Sequence, residues 1–165
     1  MKQGKVWKYG DDVNTDVIFP GKYTYTVSDP KEMAKYALED LDPNFVKEVK
    51  LGDVVVGGEN FGCGSSREQA PISIREAGAQ AIVAKSFARI FFRNAINAGL
   101  LVITCKEAVD AVAMGDEMEI DRNQGIIRAN GKEFKYPALA PQVAEILDCG
   151  GLIEYTQKKI AALNG

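Results

Sequence analysis

The chain contains no histidine, and this absence excludes several kinds of active site. A Ser-His-Asp triad, the HExxH zinc motif and the His-Arg-Asp loop of protein kinases all need that residue. Cysteine is also scarce: Cys63, Cys105 and Cys149 lie far apart and form no CxxC pair, which excludes a zinc ribbon or a thioredoxin-type centre. A sparse, odd-numbered set of cysteines is typical of reduced thiols, so we expect a cytoplasmic protein.

A large excess of one charge and a long apolar run are missing too. Twenty Lys+Arg and 23 Asp+Glu leave a net charge of −3, which argues against a nucleic-acid binder and against attachment to an anionic membrane. No apolar run approaches membrane-spanning length, and no signal peptide is visible at the start. The 165 residues, 46% hydrophobic and 26% charged, predict one globular domain over residues 1–165 with a helical tail at 153–165.

The middle of the chain alternates short strands with helices. Buried-type strands are expected at 53–57, 81–84 and 100–104, and helices at 67–77 and 86–98. Short joints between them predict parallel pairing with right-handed crossovers, so the class is α/β with a parallel βαβαβ core. Outside this core we expect strands at 6–9, 118–121, 126–129 and 133–136, a helix at 141–149, and a helix opening at Asp29-Pro30 with an apolar face of Met33, Tyr36, Ala37 and Leu41.

Residues 57–69 form an unusual loop, with four glycines and two serines in its first eleven residues. Glycines between a strand and a helix let backbone N–H groups approach a ligand, and the helix start adds a partial positive charge. This combination is typical of a site for phosphate or carboxylate. A Walker A loop needs lysine where Cys63 stands, a dinucleotide loop needs glycine where Arg67 stands, and no Gly-x-Ser-x-Gly elbow is present.

A purely structural interpretation of this loop is a helix cap. Ser65 with Glu68, or Ser66 with Gln69, has capping-box spacing. Capping does not explain Arg67, a cation in the expected first helical turn, where the helix dipole disfavours positive charge. An arginine there is useful if it holds a carboxylate bidentately. A neighbouring serine, made acidic by backbone donors and a guanidinium, then removes a proton beside that carboxylate, while loss of hydroxide needs a Lewis acid that this chain lacks.

Three segments together resemble the aconitase superfamily: Gly58-x-Asn60-Phe61-Gly62-x-Gly64-Ser65-Ser66-Arg67-Glu68, Lys85-Ser86-Phe87-Ala88-Arg89-Ile90, and Arg93-Asn94-x-x-Asn97-x-Gly99-Leu100. In length and start the chain is similar to that superfamily's free-standing small subunits. The resemblance covers residues 5–153. It implies a three-layer β/β/α swivelling domain that closes over a large subunit, and that large subunit carries a [4Fe-4S] cluster on its own cysteines. No metal is then expected in this chain, and Cys63 is not a cluster ligand.

The resemblance also implies roles for individual residues. Ser65 is the expected catalytic base. The substrate contacts are expected at Ser66, Arg67, Thr15 and Asp16. Two departures bear on the subtype: the family usually has Asp-Thr-Asp where Asn14-Thr15-Asp16 stands, and histidine where Gln69 stands. The family motif shifts Arg89 toward a structural or interface role; on spacing alone, Arg89 and Arg93 read as a solvated helix face, with anion or partner binding as the alternative.

The loop after Pro20 bears on the substrate. Tricarboxylate-specific members carry an arginine there, whereas the first arginine of this chain is Arg67. The possible specificity residues are Lys22, Tyr23, Thr24, Tyr25 and Thr26, and Lys22 substitutes for arginine only as a point charge. We therefore expect a hydroxy-dicarboxylate with an alkyl group, isopropylmalate first, which places the chain in leucine biosynthesis. Alternatives are 2,3-dimethylmalate, citramalate or homocitrate/homoaconitate, and, in another class, a non-catalytic anion-binding module.

Overall fold

One seven-stranded sheet carries the fold, and the computed structural model describes residues 2–164 of the chain. The strands are β1 (Lys2–Lys8), β2 (Val54–Gly57), β3 (Ala81–Ala84), β4 (Leu101–Thr104), β5 (Glu117–Asp121), β6 (Ile126–Ala129) and β7 (Lys132–Lys135). Their order across the sheet is β4-β3-β2-β1-β5-β6-β7. The half from β4 to β1 is parallel and the half from β1 to β7 is antiparallel. The expected α/β class with a parallel βαβαβ core is confirmed.

Strand β1 joins the two halves of the sheet. Its end pairs in parallel with β2, with Val6 opposite Val54, and its start pairs antiparallel with β5, with Lys2 opposite Ile120. The strand begins four residues before the predicted start at residue 6. The residues preceding Val6 are polar and show no apolar pattern, but they pair with β5 and so extend the strand. Next to this junction, the buried carboxylate of Asp53 accepts from the Trp7 indole at 2.9 Å and from two backbone amides.

Eight helices occur within residues 2–164, most of them short. They are α1 (Thr15–Ile18), α2 (Pro30–Met33), α3 (Phe45–Glu48), α4 (Gln69–Ala77), α5 (Arg89–Asn97), α6 (Lys106–Ala111), α7 (Pro141–Asp148) and α8 (Leu152–Asn164). Single 3-10 turns lie at Gly21–Tyr23 and Ala34–Tyr36. None of these helices is both long and apolar enough to cross a membrane.

The helix predicted at Asp29-Pro30 is shorter than its apolar pattern indicates. Asp29 does cap it, accepting from the Lys31 amide at 3.2 Å. After one α-turn the chain passes into the 3-10 turn, and Leu38 then adopts a positive φ of 56°. That conformation reverses the chain, so Leu41 leaves the buried face and lies exposed.

The helices α4 and α5 begin later than predicted, at Gln69 instead of residue 67 and at Arg89 instead of residue 86. For α5 the cause lies in the backbone of residues 86–88. The Phe61 amide donates to the Ser86 carbonyl at 3.0 Å, and the Ala88 amide donates to the Phe61 carbonyl at 2.9 Å. These residues therefore bridge to the glycine-rich loop in extended form and cannot start a helix.

The core lies on the parallel half of the sheet, where every residue of β2 and β3 is buried. At the carboxyl ends of these strands an aromatic group supports the loops: the rings of Phe61, Phe87 and Phe91 pack with centroids 5.5–6.4 Å apart. The carboxyl edge of a parallel sheet is where α/β proteins usually bind ligands. The glycine-rich loop follows β2 at this edge.

Candidate active site

The glycine-rich loop is seated on the protein by a glycine that no other residue replaces without strain. Gly62 has φ +84° and donates its amide to the Val13 carbonyl at 2.7 Å. A Cβ at this position would lie 2.1 Å from Cγ of Phe91. The loop therefore packs directly on the ring of Phe91, and only a residue without a side chain allows this close approach.

A second segment, the turn at residues 14–16, lies against the loop. The Thr15 amide donates to the Cys63 carbonyl at 2.9 Å, and Asn14 forms a bridge with Cys63. The Asn14 side chain accepts from the Val17 amide at 3.1 Å and so caps α1. Asparagine and aspartate cap equally well, which explains why the departure from Asp-Thr-Asp leaves this turn intact.

These contacts bring Ser65 and Thr15 together. Their hydroxyl oxygens lie 2.9 Å apart, and either one can donate. Thr15 is 1% exposed and is held by its backbone, whereas Ser65 is exposed. Ser66 is exposed as well, and its carbonyl accepts from Nδ2 of Asn94 on α5 at 3.3 Å. The structure thus presents two serine hydroxyls on an open surface above a fixed threonine.

Arg67 lies beside the serines and is anchored from one side only. Its Nη1 donates to the Asp16 carboxylate and, at 3.0 Å, to the Phe19 carbonyl. These two acceptors account for both hydrogens of Nη1. Nε and Nη2 have no acceptor within residues 2–164, and Gly21 leaves room next to Nη2. One edge of the guanidinium is therefore fixed, and the other is open to a bidentate anion.

The capping-box interpretation is wrong. Helix α4 begins after Glu68 with no side-chain cap, and Ser65 bonds to Thr15 instead. Arg67 precedes the helix and does not lie in its first turn. The amides of residues 64–68 donate to no acceptor in the described part of the chain, and Pro71 removes one donor from the helix itself. Free amides for an anion thus come mainly from the loop.

The loop after Pro20 lies across from Arg67 and is tied down by three contacts. Nε2 of Gln69 donates to the Thr24 carbonyl at 2.9 Å. Gln69, which stands where the family usually has histidine, therefore holds this loop in place. The Tyr23 ring stacks on Tyr36 with centroids 3.9 Å apart, and its hydroxyl donates to Glu39 at 3.1 Å. Burial and the hydrogen bond to Glu39 raise the pKa of Tyr23 above its usual value, so the phenol stays neutral.

The other specificity candidates differ in how they are held. Nζ of Lys22 lies 3.9 Å from Oε1 of Glu39 and 5.2 Å from the centre of the Tyr23 ring. Its charge is therefore partly offset by a carboxylate. Tyr25 is 98% exposed, and Thr26 is exposed beside it. Of the five residues, Tyr25 and Thr26 are exposed and their side chains form no hydrogen bond within residues 2–164.

The residues of this chain do not fit an iron–sulfur cluster. Within residues 2–164, no three cysteine, aspartate or glutamate side chains are grouped so as to hold a metal ion. Cys63, Cys105 and Cys149 are free thiols, and the buried Cys105 thiol donates to the Lys135 carbonyl at 3.8 Å. Burial raises the pKa of the Cys105 thiol, which further disfavours the thiolate that a metal ligand requires.

Two groups at this site were not identified from the sequence. The Phe19 carbonyl anchors Arg67, but a backbone acceptor leaves no signal in a side-chain pattern. Asn94 supports the Ser66 carbonyl, and a signal for it did exist in the motif Arg93-Asn94-x-x-Asn97. An asparagine on an exposed helix face, next to a loop of reactive residues, indicates a side chain that holds the loop.

Comparisons with known proteins show which family the chain is similar to. A family model described as "Aconitase C-terminal domain" matches residues 13–108, more than half of the chain. A 3-isopropylmalate dehydratase small subunit from Thermodesulfovibrio yellowstonii is 49% identical over 161 residues, covering 96% of this chain and 95% of its own. One from Archaeoglobus fulgidus, small subunit 1, is 52% identical over 156 residues, 93% and 96% of the two chains. The crystal structure of 3-isopropylmalate dehydratase (leuD) from Methanocaldococcus jannaschii superimposes with a TM-score of 0.91 at 47% identity, covering 99% and 98%.

Proposed function

Because the chain belongs to the aconitase C-terminal domain family, among the small subunits of 3-isopropylmalate dehydratases, we propose that it is the small half of a two-subunit hydro-lyase. The complex converts 2-isopropylmalate into 3-isopropylmalate by dehydration and rehydration, a step of leucine biosynthesis. The observation that carries this proposal is the open constellation of Ser65, held 2.9 Å from Thr15, and Arg67, anchored on Asp16 with one edge free.

Ser65 is the proposed base. In the dehydration step its oxygen takes the proton from the carbon next to a substrate carboxylate, and in rehydration it returns that proton to the alkene. A serine alkoxide needs donors, because its ordinary pKa is far above neutral. The free amides of residues 64–68 and the Thr15 hydroxyl are the groups of this chain that stabilise the developing negative charge.

Arg67 is the proposed carboxylate clamp. Its Nε and Nη2 have no acceptor in the described residues, and the side chain is partly buried beside the loop, which suits two parallel bonds to one carboxylate. Asp16 and the Phe19 carbonyl hold the other edge, so the guanidinium is oriented before the substrate arrives. Ser66, exposed on the same loop, is the proposed second contact to the substrate, with Asn94 supporting its carbonyl.

Departure of hydroxide needs a Lewis acid, and no step of that kind is assigned to this chain. We propose that a [4Fe-4S] cluster on the large subunit supplies it, in keeping with the lack of a metal-binding group within residues 2–164. The partner is then a large subunit that covers the open serines and completes the site. The three free thiols suit the reducing cytoplasm, which is the proposed location.

The preferred substrate is a dicarboxylate with an alkyl group. A third carboxylate requires a free cation in the loop after Pro20, and Lys22 is the residue available there. Glu39 and the Tyr23 ring already surround its ammonium group, which weakens its use for an anion. This favours isopropylmalate and the smaller methylated malates over homocitrate-type acids.

The test is turnover in the reconstituted complex. Ser65→Ala removes the base, and we expect kcat to fall by about 10²–10⁴-fold with little change in assembly. Arg67→Lys loses the bidentate grip, so KM rises and kcat falls together. Thr156→Ala, which removes an exposed hydroxyl from α8, is the control and keeps wild-type kinetics. Full activity of Ser65→Ala in the complex contradicts the assignment of the base.

The same experiment separates the enzyme from a non-catalytic anion-binding module. A half-enzyme is inert alone and gains activity only with its large subunit. A module binds malate-type anions at Arg67 and changes no substrate in any mixture. Substrate and product are followed by NMR under anaerobic conditions, so that an oxidised cluster is not mistaken for an inert chain.

A further inference from the structure

One face of helix α5 is exposed and takes no part in the proposed chemistry. Arg89, Ile90 and Arg93 are exposed, and Asn97 lies one turn further along and is partly buried. We call these four residues the α5 face. They belong to the motifs that carry the family resemblance. Within residues 2–164 their side chains form no hydrogen bond or ion pair with residues 64–67, which we call the serine loop. Asn94, on the edge of the same face, is the residue that does.

The two arginines of the α5 face differ from the other arginines of the chain in their ion pairing. Within residues 2–164, Arg89 and Arg93 form no ion pair. The other four arginines are all paired: Arg67 with Asp16, Arg75 with Glu76, Arg122 with Asp148, and Arg128 with Asp121 and Glu133. Arg89 is also the first residue of α5, where the helix dipole disfavours a cation and no acidic residue offsets it.

An apolar side chain is exposed between these charges. Ile90 is 53% exposed, although its neighbour Phe91 is buried in the aromatic support of the site. One exposed isoleucine is common on a protein surface. Here it stands among unpaired arginines, and an apolar anchor surrounded by arginine is the composition of a protein–protein contact.

The α5 face lies next to the two exposed serines, and this position indicates which protein covers it. Asn94 Nδ2 donates to the Ser66 carbonyl, so the face begins directly beside the two exposed serines. A protein that closes the open site over Ser65 and Ser66 therefore extends onto α5. The α5 face is continuous with the surface that the proposed function requires to be covered.

We propose that the α5 face is a docking surface for the large subunit. That subunit offers carboxylates to Arg89 and Arg93 and an apolar recess to Ile90. Docking at this point sets the position of the serine loop relative to the partner, because Asn94 links α5 to Ser66. This inference rests on the proposed function, since it takes the large subunit as the partner.

The test measures assembly separately from catalysis. The large subunit of the same organism is purified anaerobically, and its dissociation constant with this chain is measured by sedimentation at low and moderate salt. Arg89→Glu with Arg93→Glu is expected to weaken assembly by about 100-fold or more, since charges then repel at the contact. Ile90→Ser weakens it by about 10-fold. Arg89→Lys with Arg93→Lys restores most of the affinity.

The matched control is Lys47→Glu with Lys50→Glu, the same change of charge on exposed residues before the opposite end of β2. We expect it to bind within about twofold of wild type, because long-range attraction is screened at moderate salt. At saturating large subunit the α5 charge reversal recovers wild-type kcat and KM. Thermal unfolding of each variant establishes that the fold is retained.

Three results overturn the inference. Charge reversal that leaves the dissociation constant unchanged excludes docking at α5. A raised KM at saturation with normal assembly shows that the arginines bind the substrate instead. An equal loss of affinity in the lysine control shows a general effect of charge. Failure of the wild-type chain to bind the large subunit is a different result, since it refutes the proposed function.

Discussion

The buried carboxylate of Asp53 stabilises the junction of β1 and β2, and its replacement by asparagine tests that role. Asp53 is 4% exposed and forms no ion pair within residues 2–164. Its Oδ1 accepts from the Lys5 amide at 3.0 Å, and its Oδ2 accepts from the Trp7 indole and the Lys50 amide, both at 2.9 Å. Asp53→Asn keeps the shape but has one acceptor oxygen instead of two.

The expected loss follows from these three bonds. With its oxygen turned toward Trp7 and Lys50, the asparagine places its NH₂ against the Lys5 amide, which costs about 1–3 kcal/mol for the lost acceptor. The other two bonds change from a charged to a neutral acceptor, at about 1 kcal/mol each. An amide is easier to bury than a carboxylate, which offsets part of this sum. We expect a net loss of about 2–3 kcal/mol in the free energy of unfolding.

Trp7 is the single tryptophan of the chain, so its fluorescence reports unfolding at the same place. With a urea slope of about 2 kcal/mol per molar, the midpoint falls by about 1 M and the slope stays constant. The control is Asp40→Asn, at an exposed aspartate whose side chain forms no hydrogen bond within residues 2–164, and it leaves the midpoint within about 0.2 M. An equally small shift for Asp53→Asn, measured by fluorescence and by circular dichroism, refutes the reasoning.

Three further predictions concern other contacts. Gly62→Ala is expected to lower stability by about 2–4 kcal/mol and to abolish activity, because its Cβ meets Phe91 at positive φ; wild-type melting and turnover contradict this. Burial raises the pKa of Tyr9, so its stability contribution is full below about pH 10 and is lost as the pH rises; Tyr9→Phe flattens the decline seen in alkaline urea titrations. The hydrogen bond from Lys85 lowers the pKa of Asp110, so its contribution is present above about pH 4 and is lost below it; Asp110→Asn reduces the acid dependence of the melting temperature.

The parallel core was predictable because its signals are strong and local. The strands β2 and β3 are continuous apolar runs with turn residues on either side, and their predicted bounds differ from the observed ones by at most one residue. The starts of α4 and α5 were less predictable. Both depend on backbone contacts between distant segments, such as the pairing of Phe61 with residues 86–88, and a helical pattern does not contain that information.

The residues of the candidate site also differ in how far the sequence alone identifies them. Ser65, Ser66 and Arg67 are named by the composition of one loop, and Thr15 and Asp16 are named only by resemblance to a family. The structure brings the two segments together through the Thr15 amide and the Cys63 carbonyl. The prediction of a capping box was wrong because a serine three residues before a glutamate also occurs where no helix begins at the serine. Catalytic roles for these residues remain predictions that the kinetic variants test.

The double pairing of β1 has a consequence for how the chain folds as it leaves the ribosome. Of the seven strands of this sheet, β1 is synthesised before the others and occupies a central position, and its start is paired with Ile120. Until β5 is synthesised, the edge of β1 has unpaired backbone groups, an open template for another nascent chain. Contacts this distant in sequence close slowly. Between the synthesis of β2 and that of β5, this edge of β1 is therefore exposed to pairing with another chain, and rapid completion of the sheet limits that exposure.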